Sequence, residues 1–155
     1  MIVEIPHYKT LELQHIVLDF NGTIAKDGKL LVGVGPLIDR LAEEFKIYVI
    51  TADTHGSVEK EMAGAKVRVA VLTSGDHTNE KEAFIRSLGA DSVAALGNGA
   101  NDAGMLKAAA LGVAIVGDEG CATQTLLASD MVCRNIVEAL ELFVKPRNLI
   151  ATLRR

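Results

Sequence analysis

Four short segments carry the side chains with the clearest chemistry: Asp19-Phe20-Asn21-Gly22-Thr23, Thr51-Ala52-Asp53, Lys81, and Gly97-Asn98-Gly99-Ala100-Asn101-Asp102. If they share one surface, a carboxylate, a hydroxyl, a lysine and a second carboxylate surround one point. Such a set suits phosphoryl transfer, which needs a nucleophile in line with phosphorus and positive charge or donors around the equatorial oxygens. Asp19 can be the nucleophile, forming an acyl phosphate and splitting one hard displacement into two easier ones. Thr51 can donate its hydroxyl and Lys81 its ammonium to the phosphoryl oxygens. Gly22 lets successive backbone amides approach the same anion. Magnesium would reduce the repulsion between Asp19 and an incoming dianion, held by Asp19, the carbonyl of Asn21, the side chain of Asn98, and Asp102 directly or through water.

Whether these segments meet depends on the elements between them. Short apolar runs rich in β-branched residues recur at Ile16 to Asp19, Ile47 to Ile50, Val67 to Leu72, Val93 to Leu96, Val113 to Val116 and Met131 to Cys133. They read as buried strands. Helical spacing fills the gaps, at Pro36 to Phe45, Val58 to Ala63, Glu80 to Leu88, Asp102 to Ala110, Thr123 to Ala128 and Ile136 to Phe143. Alternating strands and helices, with strands apolar on both faces, imply an α/β doubly wound parallel sheet with helices on both sides. Ligands of such sheets bind beyond the carboxyl ends of the strands, where Asp19, Thr51 and Gly97 fall. Ile2 to Ile5 and Leu11 to Leu13 read as a small hairpin or added edge strand, and Asp27-Gly28 as the turn of a short flap. No repeat or linker divides the chain, so residues 1–155 are expected to form one domain.

In this order and spacing the segments resemble the haloacid dehalogenase superfamily of phosphotransferases. Asp19 to Thr23 looks like its first motif, Thr51 its second, Lys81 its third and Gly97 to Asp102 its fourth. Gly97 through Val116, then Gly120 to Ile136, is similar to the phosphorylation domain of P-type ATPases and their soluble relatives. The resemblance implies a central strand ending in Asp19, catalytic positions at Asp19, Asn21, Thr51 and Lys81, and substrate-binding positions at Phe20, Gly22, Thr23, Ala52 and Asn101. It implies Mg2+ held by Asp19, Asn21, Asn98 and Asp102. Family lids lie between the first and second or the second and third motifs. Here those intervals hold only the flap with one helix, then a helix and a strand. A capless crevice leaves coverage to a second copy, a partner protein or a large substrate, since excluding water strengthens every electrostatic contact inside.

Two positions depart from the family pattern. Asn21 stands where phosphatases carry the Asp that protonates the leaving group, and losing a positioned acid/base typically costs about 10²–10⁴ in rate. Asn98 stands where the fourth motif offers a carboxylate to the metal, so magnesium is expected to bind weakly. Both precede glycine, the arrangement that favours deamidation back to Asp. A slow phosphohydrolase is the leading reading, and a binding or regulatory module for phosphate, metal or a protein partner is the alternative. Asp53 reads first as a cap of the following helix, and Asn101 as a cap, a phosphate contact or both.

Composition narrows the partners. Lys and Arg number 16 against 20 Asp and Glu, a net charge of −4, and aromatic residues are 4% with no Trp. That leaves neither the basic footprint nor the stacking platforms of a nucleic-acid binder. The expected ligand is a phosphorylated small molecule or phosphoprotein. No apolar run approaches the roughly 18 residues of a membrane span. Two cysteines, Cys121 and Cys133, are too few for a secreted disulfide framework, which points to a cytoplasmic protein.

Overall fold

A computed structural model describes residues 1–53 and 55–155. The chain opens with an antiparallel pair, β1 (Ile2–Glu4) and β2 (Thr10–Glu12), followed by β3 (His15–Asp19). A second small hairpin, β4 (Ala25–Lys26) and β5 (Lys29–Leu30), turns on Asp27 and Gly28, both at positive φ. Then come α1 (Val34–Leu41), β6 (Lys46–Thr51), α2 (Ser57–Glu61), β7 (Arg68–Val71), α3 (His77–Ser87) and β8 (Val93–Gly97). The remainder is α4 (Ala103–Ala108), β9 (Leu111–Ile115), α5 (Thr123–Ala128), β10 (Met131–Cys133), α6 (Ile136–Val144) and α7 (Arg147–Leu153).

Six strands form one sheet in the order β10-β9-β8-β3-β6-β7, every pair parallel. β3, β8 and β9 are buried at every position, which is why their sequences are apolar throughout rather than alternating. Successive residues still serve opposite faces. Ile16 and Leu18 pack with Val34, Ile38 and Leu140 under α1 and α6, whereas Val17 packs with Ile85, Met105 and Leu106 under α3 and α4. The two helical layers thus bury the sheet from both sides and hold its carboxyl-end edge as a fixed line of loops.

Two expectations shift at this level. α3 begins at His77, one turn before Glu80, because Asp76 caps it by accepting from the Asn79 amide at 3.1 Å. Lys81 therefore stands in the second turn, on the same face as Ile85, rather than in the first. The expected start of the first long helix at Pro36 likewise moves back to Val34, a fully buried residue.

Candidate active site

Register places the chemistry. Asp19 is opposite Ile50, so the next residue of β6, Thr51, reaches the same edge, and Leu18 is opposite Leu96, so Gly97 reaches it too. Asp19, Asn21, Thr51, Ala52, Asp53, Lys81, Asn98, Gly99, Asn101 and Glu119 line one crevice of about 370 Å³ there.

Its floor is an ion triad. The Lys81 ammonium donates to Asp19 Oδ1 and to Asp102 Oδ1, each at 2.6 Å. The three side chains are 2%, 12% and 0% exposed for Lys81, Asp19 and Asp102, so Asp19 is the most open to the crevice, Lys81 reaches its lining with the tip of a buried side chain, and Asp102 lies beneath it. Burial, reinforced by the nearby Asp102 charge, pushes the Asp19 carboxyl up to about 6, against the pull of Lys81 and Thr23. Burial alone would lower Lys81, but the charges and hydrogen bonds of Asp19 and Asp102 outweigh it and hold the ammonium above its ordinary value.

Asp102 is committed on both oxygens. Oδ1 faces Lys81, and Oδ2 accepts from the amides of Asn98 (3.0 Å) and Gly99 (2.8 Å). It fixes the lysine and the turn, with no free oxygen turned to the crevice. The close approach explains Gly97, since a β-carbon there would lie 2.5 Å from Asp102 Cγ.

Thr23 is 1% exposed and also acts within the floor. Its hydroxyl lies 3.1 Å from Asp19 Oδ2 and 3.2 Å from Asn98 Oδ1. One proton cannot satisfy both acceptors, so oxygen lone pairs of Asp19 and Asn98 remain open toward the same region. The Asn98 amide nitrogen donates to Gly120 O at 3.1 Å, which turns Oδ1 inward. These are hard oxygen donors, and with the Asn21 carbonyl they fit a magnesium ion by type.

The other expected residues take varied positions. Phe20 is 1% exposed and its ring belongs to the core, which leaves only its backbone for substrate. Thr51 Oγ1 accepts from the Asp53 amide at 3.1 Å, so its own proton stays free to donate. Ala52 and Asn101 stand on the crevice wall. Gly22 lies outside the crevice lining, in the wall of a neighbouring cavity, at φ +82 with its amide bonded to Ala25 O at 2.8 Å. Asp53 accepts from the amides of His55, Ser57 and Val58 and from the Ser57 hydroxyl, tying down the start of α2. The Asn21 side chain accepts from the Gly28 amide at 3.0 Å and so ties the β4–β5 turn to the segment after β3.

Deamidation at the two Asn-Gly pairs needs the glycine nitrogen to attack the preceding amide. Both nitrogens are engaged, Gly22 with Ala25 O and Gly99 with Asp102 Oδ2. This geometry protects both amides.

One lining residue, Glu119, escaped the sequence reading altogether. It follows β9 in an exposed acidic pair, and its only local signal is the pair of positive-φ glycines, Gly117 and Gly120, that frame its turn.

No family model matches the chain. A protein of Methanocaldococcus jannaschii described only as uncharacterized is 45% identical over 62 residues, which span 40% of this chain and 67% of that relative. Among solved structures, 3-deoxy-D-manno-octulosonate 8-phosphate phosphatase from Moraxella catarrhalis, in complex with magnesium, phosphate and KDO, superimposes with a TM-score of 0.72 at 17% identity over 91% of each chain. The cobalt-bound form of the corresponding Haemophilus influenzae phosphatase gives 0.72 at 13% identity, over 93% of this chain and 94% of that one. The chain has the haloacid dehalogenase fold. A zinc-transporting PIB-type ATPase shares this fold over 79% of this chain and 20% of its own, with a TM-score of 0.64 at 20% identity.

As a haloacid dehalogenase fold the chain is bare around its crevice. Among the described residues, only the β4–β5 hairpin and α1 stand between β3 and β6, and only α2 and β7 between β6 and α3. No helix among them is long and apolar enough to cross a membrane.

Proposed function

We propose that the chain is a magnesium-dependent phosphohydrolase that works on a phosphate monoester through an aspartyl phosphate, slowly, as a single haloacid dehalogenase-like domain. The observation that carries this reading is the Lys81 bridge between Asp19 and Asp102 at the floor of a polar crevice that also receives Thr51. A buried ion triad contributes little to stability, because desolvation offsets much of the attraction. Its natural use is to aim one carboxylate.

Asp19 attacks phosphorus, the ester P–O bond breaks, and the leaving alkoxide takes its proton from water, since the Asn21 amide has none to give. Water then attacks the acyl phosphate, releasing inorganic phosphate and restoring Asp19. Lys81 and the Thr51 hydroxyl donate to the phosphoryl oxygens as charge shifts onto them. Thr23 and Asp102 position Asp19, Asn98 and Lys81 without touching substrate. Magnesium, held by Asp19, Asn98 and the Asn21 carbonyl, supplies Lewis-acid stabilisation of the phosphoryl oxygens. The substrate is a phosphorylated small molecule or a phosphoprotein, and a second copy or a partner protein covers the open crevice.

The test is hydrolysis of a generic aryl phosphate at neutral pH. Turnover is expected to be low but measurable with magnesium and to vanish with EDTA. Absence of turnover, with phosphate binding retained, would favour a phosphate-binding or regulatory module. The amides at 21 and 98 are the specific features that fit that second reading.

A further inference from the structure

The metal-binding part of this reading leaves a charge problem that the crevice itself can solve. Asp19 and Asp102 bring two negative charges and Lys81 one positive, so the triad offers a dication a net charge of only −1. Asn98 adds an oxygen without charge, and both Asp102 oxygens are already occupied. Magnesium is normally held by one or two carboxylates plus water and substrate phosphate.

Glu119 stands where a second carboxylate is needed. A β-carbon on Gly22 would lie 2.6 Å from Asn98 Nδ2, 2.7 Å from Asn98 Oδ1 and 2.8 Å from Glu119 Oε2, so the end of the Asn98 side chain and the Glu119 carboxylate border one small space above the Asp19–Thr23 turn, where Nδ2 is already committed to Gly120 O and Oδ1 keeps a lone pair. The strand-to-helix loop bearing Glu119 is also fastened to Asn98, which donates to Gly120 O and whose own carbonyl accepts from the Ala122 amide at 2.9 Å. The adjacent Asp118 pairs with Lys26 at 3.4 Å, whereas none of the salt bridges among the described residues involves Glu119. An uncompensated carboxylate at the mouth of a phosphate crevice would repel the substrate, and a bound cation removes that repulsion.

We propose that Glu119 supplies the second carboxylate of a divalent-cation site, together with Asp19 and the Asn98 side-chain oxygen, and restores the charge that the amide at 98 lacks. The proposal rests on the phosphohydrolase reading for its metal but concerns a different residue. Loss of a group that only supports a metal ligand typically costs about 10–100-fold in affinity, and loss of a ligating carboxylate should cost at least as much.

Mn2+ binding to the full chain, followed by electron paramagnetic resonance of the free ion at neutral pH, tests it without any turnover. Glu119→Gln should weaken Mn2+ binding by about 10–100-fold while leaving the melting temperature in EDTA unchanged. Adding Asn98→Asp to that variant should recover most of the affinity. Asp118→Asn, the same charge change one residue away, should alter it by no more than about 3-fold, as expected of a screened surface charge. Wild-type affinity in Glu119→Gln, or equal weakening in Asp118→Asn, would overturn the proposal. If Asp19→Asn abolishes Mn2+ binding while Glu119→Gln retains it, this proposal falls and the metal-dependent reading stands. If the wild type binds no Mn2+ at all, both fall.

Discussion

Asn21→Asp is expected to raise turnover of an aryl phosphate by about 10²-fold or more, within the 10²–10⁴ range that a positioned acid/base contributes. The existing contact makes the substitution conservative in shape. Asn21 Oδ1 accepts from the Gly28 amide at 3.0 Å, and a carboxylate oxygen can accept the same bond. The second oxygen replaces an amide nitrogen that cannot exchange a proton and stands on the crevice wall beside Asp19. The gain should fall mainly on kcat, because the new proton acts on the leaving group in the transition state. An unchanged kcat would show that proton transfer to the leaving group does not limit turnover, and would favour the binding-module reading.

Asp19→Asn should act in opposite directions on activity and on stability. Turnover should disappear, since the amide is no nucleophile toward phosphorus. In EDTA the same substitution should stabilise the fold above pH 6, because it removes a buried carboxylate whose ionised form is disfavoured there. The sign follows from linkage. The Asp19 carboxyl stands at about 6 in the folded chain against an ordinary 3.8, so between those values the native state binds more protons than the unfolded one. Stability therefore falls as pH rises through that window, and the full penalty remains above it. The variant carries no such charge, while Lys81 keeps Asp102 as its partner. Chemical denaturation at pH 8 and pH 4 checks this, with the two proteins converging at the lower value. A variant less stable than wild type at pH 8 would mean that the Lys81 attraction outweighs the burial of Asp19.

The sheet was legible in the sequence because its central strands are buried on both faces. Ile16 to Asp19 and Val93 to Leu96 are continuous apolar runs that end in polar clusters, and both runs belong to central strands of the sheet. The Asp27-Gly28 turn was legible for an equally local reason, the positive φ that both residues adopt. Helix boundaries were less so. The start of α3 depends on Asp76 as cap, and an Asp in a Ser-Gly-Asp-His loop competes with every turn reading of the same residues.

Within the site, the sequence reading marked which residues converge but not how each faces the others. Thr23 reads as a phosphate donor by type, yet its burial turns the hydroxyl onto Asp19 and Asn98. Asp102 reads as a metal ligand by position, yet its oxygens are engaged by Lys81 and two backbone amides. Glu119 carries no periodic or motif signal, and only the fold of the Gly117–Gly120 turn brings it to Asn98. Contacts between segments far apart in the chain decide all three, and local pattern does not contain them.

In the proposed reaction the Asp19 carboxylate becomes phosphorylated. The direct measurement is acid quenching of the protein during turnover of an aryl phosphate with magnesium, followed by peptide mapping under acidic conditions that preserve acyl phosphates. A phosphoryl adduct is expected on the peptide containing Asp19, sensitive to hydroxylamine and absent from Asp19→Asn. Steady turnover in Asp19→Asn, or an adduct confined to another residue, would contradict it.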